Sequence, residues 1–195
     1  MKNVLIINAH THYPFSEGKL NNALIERMSE QLKNKQYDVR IQHVEDTYDV
    51  EEQIALHKWA DTVIVQAPVN WMGMPWKMKK YMDEVYTHGM MGELCAGDGR
   101  HEDDPKQGYG TGGLLAGKKY MLSLTFNAPK EAFNDESQYL FEGASVDDLF
   151  LPSHMNFKFF AMEPLETFVC YDVMKNPTIE ADFERLQQHI DTQFS

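Results

Sequence analysis

Cysteine is scarce in this chain: two, Cys95 and Cys170, among 195 residues. Two thiols in a chain of this size make no disulfide framework, and they point to a reducing compartment. Positive charge is short as well. Eighteen Lys and Arg stand against thirty Asp and Glu, for a net charge of −12. That excludes the basic face that phosphate-backbone binding needs, and it gives no attraction to anionic membrane surfaces. Long hydrophobic runs are missing too. The opening stretch M-K-N-V-L-I-I-N-A-H has one Lys and an apolar run of four, too short for a signal-peptide core and far too short for a membrane span. There is no internal repeat, low-complexity tract or linker. The expectation is a cytoplasmic protein with no nucleic-acid partner and no integral membrane segment.

Familiar chemical signatures are also lacking. The chain has no Ser-His-Asp order, no paired-carboxylate signature and no G-x-x-x-x-G-K-[ST] loop, so hydrolase and NTPase chemistry have no support. His10-Thr11-His12 lacks a third ligand at sensible spacing and a nearby Cys, and no metal site is expected. G-Y-G-T-G-G at 108–113 has the letters of a dinucleotide fingerprint, but it follows no strand and opens no clear helix.

What is present is globular. Hydrophobic residues make up 43% and aromatics 12%, and the length suits one domain, 1–195, with a full core. Residues 3–9, N-V-L-I-I-N-A, read as a strand buried on both faces. Leu20, Ala23, Leu24, Met28 and Leu32 then recur at helical spacing. A second strand is expected at 37–44, and Asp49 with Glu52 forms an N-cap pair for a helix running to Trp59. A third strand at 62–67 precedes an amphipathic segment at 77–86; further strands are expected at 119–126 and 166–173, and a last helix opens at Asn176-Pro177. Strands alternating with helices mean a mostly parallel α/β sheet with helices on both faces, and five such strands allow the doubly wound order 2-1-3-4-5. Ligands in such sheets bind beyond the carboxyl ends of the strands at the switch between strands 1 and 3. Three loops converge there: 10–19, 67–76 and 127–131. The glycine-rich stretch at about 87–117 breaks the rhythm and reads as a lid or partner-embracing loop, with disorder as the alternative.

The loops suggest their own chemistry. Ser16, Gly18, Asn21 and Asn22 sit where a helix begins, so free amides and the helix dipole suit a phosphate, although Ser16 reads equally as a plain cap. Q-A-P-V-N-W-M-G-M-P-W at 66–76 offers flat apolar surface and main-chain groups stiffened by prolines, as a planar heteroaromatic ring requires. Trp71 and Trp76 as ordinary core or dimer-interface residues is the competing reading. T-F-N-A-P at 125–129 repeats the theme.

Taken together, V-L-I-I-N-A (4–9), S-E-G-K-L-N (16–21), W-M-G-M-P-W-K-M-K-K-Y-M-D-E-V (71–85), the run G-Y-G-T-G-G through K-E-A-F (108–133) and M-E-P-L-E-T-F (162–168) resemble the modulator of drug activity B family. Its members are flavodoxin-like NAD(P)H:quinone oxidoreductases related distantly to DT-diaphorase. The resemblance implies a homodimer with one FAD per subunit, FMN being the lesser alternative. It implies two-electron, ping-pong hydride transfer through the flavin from NADPH or NADH to quinones, a role in oxidative stress. Carried over, Ser16, Glu17, Gly18, Lys19, Leu20, Asn21, Asn22 and Ala23 would hold the FAD phosphates. Val69, Asn70, Trp71 and Met72, with Thr125, Phe126, Asn127 and Ala128, would line the isoalloxazine, and Tyr109 is a further flavin contact. Trp76 reads as a packing anchor of its helix. The Tyr and His that DT-diaphorase places after its fourth strand have no counterpart in N-A-P-K-E-A-F, so no catalytic side chain is assigned. The rival readings are a flavin-dependent azo- or nitro-reductase and a non-catalytic, flavin-bearing regulatory partner.

Overall fold

The computed structural model of the protein describes residues 2–194. Strand β1 (Asn3–Asn8) leads into helix α1 (Lys19–Asn34), then β2 (Asp38–His43), α2 (Val50–Trp59), β3 (Thr62–Pro68) and α3 (Trp76–Gly89). Strand β4 (Lys119–Thr125) is followed by a 3-10 turn at Lys130–Ala132 and by α4 (Val146–Leu149) and α5 (Leu151–Phe159). Two short strands, β5 (Glu163–Pro164) and β6 (Phe168–Cys170), and α6 (Ile179–Gln193) complete the chain. The sheet is parallel throughout, in the order β2-β1-β3-β4-β5, with β6 pairing β4 beyond β5.

This is the expected doubly wound order. Val4 to Ile7 and Val63 to Val65 are wholly buried, because helices cover both faces and leave no side of the strand for polar residues. Leu24, Met28 and Leu32 of α1 pack with Leu186 and Ile190 of α6 against one face; Met78, Tyr81 and Val85 of α3 join Ile54 and Phe157 on the other. The Asp49 carboxylate accepts the Glu52 amide at 3.0 Å, as its spacing predicts.

Three expectations shift. The fifth strand is broken in two at 165–167, although Leu165 still donates to the Tyr120 carbonyl at 2.7 Å. The last helix starts later than Asn176-Pro177, with Thr178 at its N-cap, because Asn176 donates to Asp172 and closes a turn of its own. The glycine-rich stretch is neither structureless nor bounded at 87, since α3 continues to Gly89. Beyond it, Leu94, Cys95 and Leu115 are buried in the core, and antiparallel bridges join Met91 to Ala96 and Cys95 to Gly113. Its segments cross so closely that a Cβ at Gly99 would lie 2.6 Å from the Gly112 amide nitrogen, and glycine lets them meet.

Candidate functional site

A crevice of about 420 Å³ opens beyond the carboxyl ends of β1, β3 and β4. It lies at the switch between β1 and β3, where the doubly wound topology leaves the crossover helices diverging.

One wall is the start of α1. Gly18 is the N-cap, in the left-handed region at φ 79°, and no side chain caps the helix. The reading of Ser16 as a cap therefore fails. Its carbonyl instead contacts His10 Nε2 at 3.0 Å, and its amide and carbonyl pair with Tyr13. The buried His10 ring leaves no room above it, since a Cβ at position 18 would sit 2.6 Å from the ring. No acidic residue occupies the first turn, so its amides and the positive end of the dipole face the crevice uncompensated, the arrangement that suits an anion. Glu17 and Lys19 form a 2.7 Å ion pair at the rim, which lowers the Glu17 pKa and raises that of Lys19.

The second wall is the loop after β3. Asn70 and Gly73 exchange both backbone hydrogen bonds, at 3.0 and 3.1 Å. Trp71 and Met72 form the tip between them, at φ 49° and 63°. Two consecutive left-handed residues define the turn that elsewhere favours Asn-Gly. Trp and Met are poor occupants, and such strain gathers at functional sites. Trp71 is 96% exposed. That excludes a core role within this chain. Trp76 is 58% exposed, which corrects its reading as a packing anchor: it opens α3 on the solvent side of the helix, with the Lys77 ammonium above its ring.

Buried polar groups hold these walls in register. Ser123 Oγ donates to Gln66 Oε1 at 2.7 Å, and Gln66 Nε2 donates to Asn21 Oδ1 at 2.8 Å. Asn21 in turn reaches Thr125 Oγ1 at 3.5 Å. Asn8 Nδ2 donates to Asn22 Oδ1 at 2.9 Å and meets His43 Nδ1 at 3.1 Å. The first turn of α1 is thus fastened to β1, β3 and β4, and the buried Asn8, Asn21, Gln66 and Ser123 side chains gain partners. Outside, Glu45 accepts the His12 amide at 3.0 Å and the Lys77 ammonium at 2.8 Å; both lower its pKa, Lys77 most.

Ten of the expected site residues line this crevice: Ser16 through Asn21, Val69, Asn70, Thr125 and Asn127. Trp71 and Met72 stand at the turn above it. Asn22 and Ala23, the next residues of α1, do not line the crevice, and the Asn22 side chain is engaged by Asn8. Phe126 points away, buried among Phe133, Phe150 and Tyr171, and Ala128 packs on the same cluster. Tyr109 is not brought in. It lies edge-on to Phe159 at 5.9 Å, on a second hollow between α3 and α5. Val173 and Met174 after β6 form a further wall that the sequence does not announce, and Phe15 and Pro68, within the two expected loops, line the crevice as well. The sequence reading missed Gln66 and Ser123, although each is a lone polar residue inside an otherwise apolar strand.

Sheet order, switch-point crevice and uncapped anion-accepting helix define a protein of the flavodoxin-like class. The family described as having a flavodoxin-like fold matches residues 2–194. NADPH:quinone oxidoreductase MdaB of Haemophilus influenzae is 43% identical over 192 residues, covering 98% of this chain and 99% of that protein. An uncharacterised protein of Schizosaccharomyces pombe is 39% identical over 191 residues, covering 98% and 96%. A solved Klebsiella pneumoniae protein, provisionally called a quinone reductase, superimposes at a TM-score of 0.79 with 24% identity, covering 100% of this chain and 86% of that one. The chain belongs to the modulator of drug activity B family of flavodoxin-like proteins. Among the described residues no helix is long and apolar enough to cross a membrane.

Proposed function

We propose that the chain is one FAD-binding domain that reduces quinones by two electrons at the expense of NADPH or NADH. One observation carries the reading. In a chain 43% identical end to end to an NADPH:quinone oxidoreductase, the bare first turn of α1 opens into the same crevice as the strained Asn70–Gly73 turn.

The donor set fits a flavin. Uncapped amides at 18–20 and the Lys19 ammonium suit its phosphates; Val69 and the Trp71 ring offer apolar faces to a planar ring system. The Thr125 hydroxyl and Asn127 amide can orient the ring's polar edge. Bound flavin would supply hydride acceptance and donation. Among the described residues that line the crevice only Glu17 and Lys19 are charged, and they are paired with each other. The protein's part is therefore to bind, orient and exclude water rather than to carry a proton on a side chain. Tyr109, remote from its own crevice, would serve the crevice of a second subunit, which makes the working form a homodimer. A cytoplasmic place and protection against quinone toxicity follow from this reading.

The test is direct. The purified protein should be yellow, release a flavin with the mass of FAD, and bleach when NADPH is added without oxygen. Quinone turnover should give parallel double-reciprocal lines, as alternating use of one site requires. A released mass of FMN overturns the cofactor assignment. Flavin that fails to bleach leaves a non-catalytic flavin carrier, and preference for azo dyes or nitroarenes over quinones overturns the acceptor class.

A further inference from the structure

A hollow of about 770 Å³ lies along the outer edge of the sheet, between β5 with the residues after it and helices α4 and α5. It is separate from the crevice. Tyr120 lines it near the start of β4 and Thr125 ends that strand, about 17 Å apart at the usual strand rise.

Its floor is apolar and adaptable: Leu151, Met155, Met162, Pro164 and Leu165, with Leu151 and Met155 about half exposed. The buried Tyr120 ring stacks on Phe157 at 4.4 Å and turns its hydroxyl to His154 Nδ1 at 2.8 Å. With the phenol donating there, the ring proton sits on Nε2, which donates to Asp147 Oδ1 at 3.2 Å. Thr167 Oγ1 donates to the same oxygen at 2.7 Å. One carboxylate oxygen is thus fixed by two donors. Among the described residues, Asp147 Oδ2 has no hydrogen-bond partner, and the side chain is 61% exposed. Charge around the hollow runs one way, with Asp147, Asp148, Glu163 and Glu166 against Lys158 alone.

The same edge refuses a peptide strand. Pro164 has no N–H to offer, and Glu166 is already engaged, its amide with Gln193 Oε1 at 3.3 Å and its carbonyl with His189 Nε2 at 2.9 Å. What remains is a drug-sized apolar bed beside an oriented anion. We propose that this hollow is a second small-molecule site, and that it binds amphipathic organic cations: an ammonium on Asp147 Oδ2, an aromatic or alkyl body on the Met155–Met162 floor.

Dansylcadaverine, a fluorescent aromatic sulfonamide with an alkylammonium tail, and its neutral N-acetyl derivative are the probes. They are titrated into the protein as purified. The amine should bind saturably with blue-shifted emission, about tenfold tighter than the acetylated form, a difference of about 1.4 kcal/mol. Asp147→Asn should remove most of that tenfold preference. Met155→Lys, at an exposed position outside the hydrogen-bonded chain, should weaken amine binding by a similar factor without altering the circular dichroism. Menadione and NADPH should not displace the probe. Equal affinity for the two probes, indifference to both substitutions, or displacement by menadione would overturn the assignment. Binding is read whether or not the protein carries flavin, so this proposal and the reductase reading fail separately.

Discussion

Replacing Trp71 with Asn separates the strain in the Asn70–Gly73 turn from its use. Position 71 is held at φ 49°, and left-handed geometry costs about 1–2 kcal/mol for most residues but little for Asn. Because Trp71 is 96% exposed, its removal forfeits almost no buried apolar surface. The flavin-free variant should therefore be more stable by about 1 kcal/mol, or about 2–4 °C in melting temperature for a domain of this size. With flavin the order should close up or invert. At a flavin concentration 100 times the dissociation constant, binding stabilises the wild type by about 2.7 kcal/mol. A variant that binds tenfold more weakly gains only about 1.4 kcal/mol at the same concentration. Scanning calorimetry of both proteins, stripped and flavin-saturated, reads all four values. A flavin-free variant that melts at or below the wild type refutes the strain argument. One that is stabilised equally with and without flavin, with unchanged quinone turnover, refutes the claim that the strain serves the site.

Other consequences follow from buried groups. His57 is fully buried, and burial drops its pKa from 6.5 to about 4. The unfolded chain then takes up a proton the folded one resists, so stability is intact above about pH 6.5 and lost as pH falls toward 4. Between pH 7 and 4.5 the loss from this group is about 2 kcal/mol; urea denaturation of His57→Asn should show a correspondingly smaller drop, and an identical drop would mean that the ring is not held neutral. Gly18→Ala should lower stability by about 2 kcal/mol, through left-handed backbone cost and contact with the His10 ring, and should weaken flavin retention; unchanged retention would detach that turn from phosphate binding. Gln66→Leu strands Ser123 Oγ and Asn21 Oδ1 and should cost about 2–4 kcal/mol by urea titration, and a loss under 1 kcal/mol would show that the buried polar chain relaxes onto other partners.

Much of the site was legible before any coordinates. Asp49 with Glu52 announced α2, and the unbroken apolar runs at 4–7 and 62–65 announced buried parallel strands. Strand order then put the loops at 10–19 and 67–76 side by side. Other features were hidden for physical reasons. Ser16 has the chemistry of a cap, yet the chain reaches α1 through a left-handed Gly18 because His10 fills the space beneath it. Phe126 belongs by position to a site loop, but strand alternation sends its ring into the core. The wall at Val173 and Met174 depends on where the broken fifth strand ends, which short apolar segments do not announce.

Local pattern by itself determined the α/β class and the positions of most strands and helices, because burial on both faces and helical spacing are written in neighbouring residues; it allowed the 2-1-3-4-5 order, which the strand pairings then fixed. Tertiary structure alone decided which side chains turn inward at Phe126 and outward at Trp71 and Trp76. It also set Tyr109 away from its own crevice, and it joined Tyr120, His154, Asp147 and Thr167 into one hydrogen-bonded chain. Those outcomes depend on contacts between segments far apart in the chain, where the direction of a side chain is settled by the space that other elements leave for it.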